Sequence, residues 1–148
     1  MRKVAFLTGV LVLGLVAGCG GKAKTDTTMK QKTLYERLGG EPAISAVVDD
    51  FLANVLADNR INAFFANADA KNLRAKLIEQ ICAATGGPCT YTGKDMVTVH
   101  TGMKITDADF DALVEDLAKS LDKFQVPATE KGELLGALGG LRPEIVGK

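Results

Sequence analysis

The sequence contains one histidine, His100, within the stretch KDMVTVHTGMKITDADF. Met96, Val99 and Met103 flank it at the spacing of one helix face, which predicts a short helix that turns the imidazole inward. An imidazole is an acid–base group and a metal ligand, and any Ser-His or Cys-His pair in this chain would have to use it. A lone histidine on an apolar face is also often a hydrogen-bonded core residue. The spacing alone leaves both roles open.

Other catalytic signatures do not occur in the sequence. There is no Gly-rich phosphate loop, no nucleophile elbow and no His-Glu zinc helix. The 18 basic and 18 acidic side chains give a net charge of zero, so the chain has no field that would hold a phosphate backbone or an anionic bilayer. We therefore expect no nucleic-acid partner.

Residues 1–18 have the pattern of a secretion signal. Arg2 and Lys3 precede the uncharged run VAFLTGVLVLGLVAG, which is shorter than the roughly 20 apolar residues of a membrane-spanning helix. The end of the run, LVAGC, resembles the bacterial lipobox. We expect residues 1–18 to be a lipoprotein signal peptide, Cys19 to be lipidated and residues 19–32 to be a flexible linker. The mature protein would then be a membrane-anchored lipoprotein that faces the periplasm or the cell exterior. A non-lipidated signal or a retained anchor helix is the alternative.

Export changes how the other two cysteines are interpreted. Cys82 and Cys89 form an even pair in CAATGGPC, and an oxidising compartment favours a disulfide between them. Such a bond would close a loop around the Gly-Gly-Pro turn and contribute roughly 2 to 3 kcal/mol by restricting the unfolded chain. A Cys-based metal site lacks the usual four ligands. Two free buried cysteines are the remaining alternative.

Helical periodicity dominates the chain after residue 32, and no Val-rich alternating run bounded by Asn-Gly turns interrupts it. The first predicted helix is short, is capped by Thr33 and stops at Gly39-Gly40; the second begins near Pro42, and the third runs from Asp69 to about Thr85. A short helix around His100 follows, then one capped by Thr106 and a last one that begins near Pro127. The sequence therefore predicts one all-α domain.

From Thr33 to the end the chain resembles a group I truncated haemoglobin. The resemblance rests on motifs in order: LYERLGG, PAISAVVDDF, VLAD, FF, GGP, YTGKDM, HTGMKITDADFDALV and LDKFQVPATEKGELL. It implies a truncated globin domain at residues 33–148, folded as a two-over-two helical sandwich around haem b. It also implies a long loop, here from Gly86 to about Lys94, before the iron-binding histidine.

The resemblance assigns roles to individual residues. His100 would be the proximal ligand of pentacoordinate haem iron, while Met96 and its apolar neighbours exclude water from the same face. Phe65 would pack flat against the macrocycle, and Phe51 would line the cavity. Lys76 is expected either to pair with a haem propionate or to be a solvated surface lysine.

This chain departs from the family on the opposite side of the iron. Many members carry a tyrosine at the position of Leu52, and glutamine or another polar residue at the positions of Leu73 and Leu77. Three apolar side chains offer no hydrogen bond to O₂, so fast oxygen loss and a relative preference for CO are expected. Tyr91 has two alternative roles: its hydroxyl reaches the pocket as a hydrogen-bond donor, or its side chain only packs against the turn.

Three functions follow from the resemblance and the residues together. The first is reversible binding of a diatomic gas, namely O₂, CO or NO. The second is detoxification of nitric oxide or peroxide, which needs an electron donor that the sequence does not identify. The third is a helical envelope lipoprotein that binds a partner without haem.

Overall fold

The computed structural model describes residues 31–148, and this part of the chain is helical, without strands. The elements are α1 (Leu34–Arg37), α2 (Gly40–Ala57), a 3-10 helix (Asn62–Phe65), α3 (Ala70–Ala84), α4 (Met96–His100), α5 (Asp107–Lys123), α6 (Ala128–Gly139) and α7 (Arg142–Ile145). The predicted signal segment, Cys19 and the linker up to residue 30 lie outside the described residues. Among the helices of residues 31–148, none has both the length and the apolarity that crossing a bilayer requires.

Side-chain hydrogen bonds set the starts of the helices where the sequence predicts them. At α1, the Thr33 hydroxyl accepts from the Glu36 amide at 3.2 Å, and the Glu36 carboxylate accepts from the Thr33 amide at 2.8 Å. Asp69 accepts from the Asn72 amide at 3.0 Å to begin α3, and Thr106 forms the same kind of capping box at α5. These contacts satisfy amides that have no partner within the helix.

Two glycines make the turn between α1 and α2. Gly39 and Gly40 have φ values of 95° and 71°, a region that residues with a Cβ rarely adopt. The predicted stop of the first helix is confirmed, and α2 begins at Gly40 itself, two residues before Pro42.

The core forms around α2, which packs against α3 on one side and α5 on the other, while α6 packs against α5. Burial of these helix faces supplies most of the favourable free energy of folding. The buried residues of this core are Ile44, Val47, Val48, Phe51, Val55, Ile61, Ile81, Ala112, Leu117, Leu121 and Leu134.

The predicted last helix is two helices. Helix α6 ends at Gly139, and Leu141 is the N-cap of α7. Glycine has a low helix propensity, and Pro143 is acceptable only in the first turn of a helix, so the chain restarts there. The restart places Ile145 of α7 in the interior, where it is 8% exposed.

Candidate functional site

His100 is the last residue of α4 and is held by its own helix. Its Nδ1 lies 2.7 Å from the carbonyl oxygen of Met96, which can only accept, so Nδ1 carries the proton and donates. In this tautomer the lone pair is on Nε2, which is the nitrogen left to bind a metal. Asp95 is the N-cap of this helix, and its carboxylate accepts from the Thr98 amide at 2.9 Å and from the Thr98 hydroxyl at 2.6 Å. These bonds hold the pKa of Asp95 below its usual range.

His100 lines a cavity of about 180 Å³ between the 3-10 helix, α3, α4, α5 and α7. Asp109 is the only carboxylate among the described residues of its lining, and both the Thr106 amide and the Thr106 hydroxyl donate to it. The other lining residues are Ile61, Phe64, Phe65, Ala68, Leu73, Val99, Met103, Ile105, Phe110, Leu113 and Ile145. An apolar cavity with one convergent imidazole is typical of a cofactor site.

The donor set of the cavity limits the kind of metal site that fits. Residues 31–148 contain no cluster of three or more His, Cys, Asp or Glu side chains that would hold a bare ion. A metal bound at His100 must therefore bring most of its own ligands. Iron held in a porphyrin does so, because the macrocycle supplies four nitrogens and the protein supplies an axial donor.

Three of the predicted site residues, His100, Phe65 and Leu73, meet in the lining of this cavity. Phe51 is 6% exposed in the core, and Leu52 and Leu77 pack beside that core without entering the lining. Met96 acts through its backbone carbonyl, and its sulfur accepts from Gln80 Nε2 at 3.3 Å.

The apolar neighbours of His100 are less enclosed than the helix pattern predicts. Val99 lines the cavity but is 45% exposed, and Val97 on the same helix is 42% exposed. Met103 lies beyond the end of α4, where Gly102 has a φ of 86° and the chain turns. Because α4 is a single short helix at the edge of the cavity, only part of its surface is covered.

Lys76 has a protein partner that the sequence did not reveal. Its Nζ lies 3.0 and 2.9 Å from the two carboxylate oxygens of Glu79 and also donates to the Thr92 hydroxyl. Both roles expected for Lys76, as a propionate partner or as a solvated surface lysine, stay predictions. A haem propionate at this position would compete with Glu79 for the ammonium group.

The loop between α3 and α4 is held by a disulfide between Cys82 and Cys89, whose Cα atoms are 5.7 Å apart. Tyr91 lies in the same loop, and its hydroxyl donates to the carbonyl of Lys94 at 2.9 Å. Burial raises the pKa of the Tyr91 phenol. Tyr91 does not line the cavity of His100, so the structure favours the packing role of this side chain.

The sequence profile of the bacterial-like globin family matches residues 33–146. The chain belongs to this family. It is 40% identical over 113 residues to the group 1 truncated hemoglobin of Mycolicibacterium paratuberculosis, which covers 76% of this chain and 83% of that protein. The group 1 truncated hemoglobin of Tetrahymena pyriformis is 36% identical over 119 residues, which covers 80% of this globin and 98% of its relative.

Solved structures agree with the helix arrangement of this globin. The Fe(III) form of Tetrahymena pyriformis truncated hemoglobin matches it with a TM-score of 0.76 at 36% identity, over 79% of this chain and 100% of that one. The 2/2 hemoglobin of Synechococcus sp. PCC 7002, solved in the cyanomet state with covalently attached heme, matches with a TM-score of 0.75 at 30% identity and the same coverage. The predicted all-α, two-over-two fold is confirmed.

Part of the cavity wall of this globin cannot be predicted from its sequence pattern. Phe110 and Leu113 lie on α5, and the apolar periodicity of a helix does not show which of its residues border a cavity. Ile61 and Phe64 lie in a connector that was too short for a periodicity argument. Ile145 comes from the C-terminal helix, and the only feature of the sequence that indicates its burial is an apolar residue type near the end of the chain.

Proposed function

We propose that this globin binds haem b through His100 and reversibly binds a diatomic gas, O₂, CO or NO, on the other side of the iron. The observation that supports this most directly is the bond from His100 Nδ1 to the Met96 carbonyl, at 2.7 Å, in a side chain that lines an apolar cavity. That bond leaves Nε2 as the one ring nitrogen able to bind iron.

When bound, haem supplies an iron atom with an axial position open to a diatomic gas. The protein's part is to bind, orient and exclude water. His100 would hold the iron through Nε2, Phe65 would offer a flat apolar surface, and Leu73 and Phe110 would exclude water from the cavity. Because His100 is the only histidine of the chain, no second imidazole can occupy the open position. We infer a pentacoordinate iron from this.

Leu52, Leu73 and Leu77 set the expected behaviour of the gas ligand. Three solved variants of Tetrahymena pyriformis truncated hemoglobin each replace one residue, a tyrosine in one and a glutamine in each of the other two. The first glutamine lies 21 residues after the tyrosine, and the second glutamine lies 4 residues after the first. Leu52, Leu73 and Leu77 have the same separations. All three are apolar here and none can donate a hydrogen bond to a polarised ligand. Fast release of O₂ and a relative preference for CO follow, because CO depends less on such a donor.

We further propose that the globin is exported and anchored to a membrane through a lipid on Cys19. The proposal rests on the signal-like pattern of residues 1–18 and the lipobox resemblance. The Cys82–Cys89 disulfide is a second argument, since disulfides persist in oxidising compartments such as the periplasm or the cell exterior.

Absorption spectra of the purified protein, oxidised, then reduced, then treated with CO, test the gas-binding proposal. We expect an intense haem band that changes with each treatment. A colourless protein that stays helical and refuses added hemin would contradict the proposal and favour the haem-free binding lipoprotein. Rapid catalytic turnover of NO in the presence of O₂ would instead favour the enzymatic function.

A further inference from the structure

The segment from Cys89 to His100 is attached to α3 at two points near its start. The first is the disulfide from Cys82 to Cys89. The second is the Glu79 carboxylate, which accepts from the Thr92 amide at 3.1 Å and from the Thr92 hydroxyl at 2.7 Å. Glu79 and Cys82 are three residues apart on one helix, so both attachments are made by the same face of α3.

The disulfide end of this segment has little room to move. An ideal Cβ added at Gly87 would lie 2.6 Å from the Cys82 sulfur and 2.7 Å from the Tyr35 ring. The Tyr35 amide also donates to the carbonyl of Thr85 at 2.9 Å. Cys82 is fully buried beneath these contacts. Helix α1 therefore covers the turn that the disulfide closes.

The Glu79 end continues directly into the helix of His100. Lys76 donates to Glu79 and to Thr92 and so joins the two partners of the second attachment. Gln80, the next residue of α3, donates to the sulfur of Met96, and the carbonyl of Met96 accepts from His100. These contacts link α3 to the helix of His100, so the position of the His100 ring depends on how firmly the segment is fastened to α3.

We propose that the Cys82–Cys89 disulfide and Glu79 are the positioning groups of His100, and that the strength of haem retention depends on the oxidation state of the two cysteines. The haem part of this inference rests on the proposed function. A dithiol reductant donates two electrons and two protons, the S–S bond breaks and two thiols form, while the dithiol becomes a cyclic disulfide. The reverse step needs an exchangeable disulfide as oxidant.

Reduction leaves only the hydrogen bonds of Glu79, Lys76 and Gln80 to attach the segment to α3. The segment then samples more conformations, and the axial nitrogen is presented less often in the position that holds iron. Loss of a contact that orients a metal ligand lowers the affinity of a protein site for its metal by about 10- to 100-fold. If the globin is exported as proposed, a chain that is still reduced retains haem weakly, and oxidation after export strengthens its retention.

The first experiment measures the segment itself and needs no haem. Backbone amide exchange is compared between the oxidised apoprotein, the same protein reduced with dithiothreitol, and Cys89→Ser. Cys89 is the better cysteine to replace, because Cys82 is fully buried and a serine there would bury a hydroxyl. Far-UV circular dichroism shows whether each sample stays helical. We expect faster exchange at residues 90–100 and unchanged exchange in α5.

The second experiment measures release of haem to an excess of an unrelated apoglobin. It compares the native chain, Cys89→Ser, Glu79→Gln and the double variant. Arg74→Gln is the control, because Arg74 lies on α3 but pairs with Asp49 of α2, at 2.5 and 2.9 Å, and does not touch the segment. We expect Cys89→Ser and reduction to speed release by about tenfold, and the double variant to exceed the product of the single effects.

A spectroscopic measurement separates an effect on the position of His100 from a general loosening of the fold. In the ferrous protein without gas, the iron–histidine stretching band should shift or broaden on reduction of the disulfide and stay unchanged in Arg74→Gln. Haem that binds equally well, with the same release rate and the same amide exchange in both redox states, overturns the inference and leaves the proposed function intact. If no form binds haem, the proposed function and the haem part of the inference both fail, while the exchange data still decide whether the disulfide orders the segment.

Discussion

Nδ1 of His100 lies 2.7 Å from the carbonyl oxygen of Met96, one helical turn earlier. This bond fixes both the rotation of the ring and the nitrogen that carries the proton. A helix of five residues thereby presents the imidazole at the edge of an apolar cavity. The rest of the proposed chemistry depends on this presentation, because the described chain offers iron no comparable nitrogen ligand.

Replacement of Leu52 by tyrosine should slow the release of O₂. The hydroxyl would give a polarised ligand a donor that the native leucine lacks, and such a bond is worth about 1.5 to 3 kcal/mol, or roughly 10- to 150-fold in the release rate. Stopped-flow displacement of O₂ by CO measures the rate. Leu56→Tyr is a matched control on the same helix, since Leu56 is 56% exposed. A native release rate as slow as that of Leu52→Tyr would show that another donor already reaches the ligand.

Gly87→Ala should destabilise the fold, whereas Gly132→Ala should not. At Gly87 the new methyl group would lie 2.6 Å from the Cys82 sulfur and 2.7 Å from the Tyr35 ring, and overpacking of this kind costs about 1 to 3 kcal/mol. At Gly132, inside α6, nothing lies within 4 Å of the new Cβ, so the better helix propensity of alanine should add up to about 1 kcal/mol. Urea unfolding measures both, and equal stabilities of the two variants would contradict this packing.

Acid should weaken the fold partly through Asp58. Hydrogen bonds from Arg60 hold the pKa of Asp58 at about 2, below its ordinary 3.8. Because the folded pKa is the lower one, this contribution is fully present above pH 4 and is lost as the pH falls through about 2. The free energy of unfolding of Asp58→Asn should therefore decline less steeply over that range than that of the native chain.

The control for this pH dependence is Glu144→Gln. Glu144 is exposed and forms no ion pair within residues 31–148. Its replacement should leave the steepness of the acid decline unchanged. If Asp58→Asn declines as steeply as the native protein, the Arg60 hydrogen bonds do not stabilise the fold in solution.

Cys19→Ser should abolish membrane attachment of the proposed lipoprotein. Serine cannot take the thioether-linked lipid, so the globin should move from the membrane fraction to the soluble fraction. Cell fractionation locates the protein, and mass spectrometry of the native protein should show a lipid on an N-terminal Cys19. Cys89→Ser serves as a control, because it removes a thiol without touching the lipobox. A native chain that is soluble and begins at Met1 would refute the anchor.

Local chemistry explains which elements could be predicted from the sequence. The capping boxes at Thr33 and Thr106 and the N-cap at Asp69 depend on residues three positions apart, and all three helices begin as predicted. The disposition of His100 on a short helix followed from spacing alone. Its assignment to iron came instead from the resemblance to a globin family, since spacing fits a core histidine equally well.

Contacts between distant residues explain what could not be predicted. The attachment of Thr92 to Glu79 joins a loop to a helix 13 residues away, and nothing in either local pattern reveals it. Ile145 borders the cavity only because the chain restarts as α7 after Gly139 and folds back on α4. Both features are consequences of tertiary packing, which overrides local propensity.

Resonance Raman spectroscopy of the ferrous protein without gas tests the central claim most directly. The chain has a single histidine, so growth on ¹⁵N-histidine labels only His100, provided that the protein carries no histidine tag. We predict an iron–histidine stretching band that moves to lower frequency on labelling. A haem-bound protein whose axial band is absent, or does not respond to the label, would contradict coordination by His100.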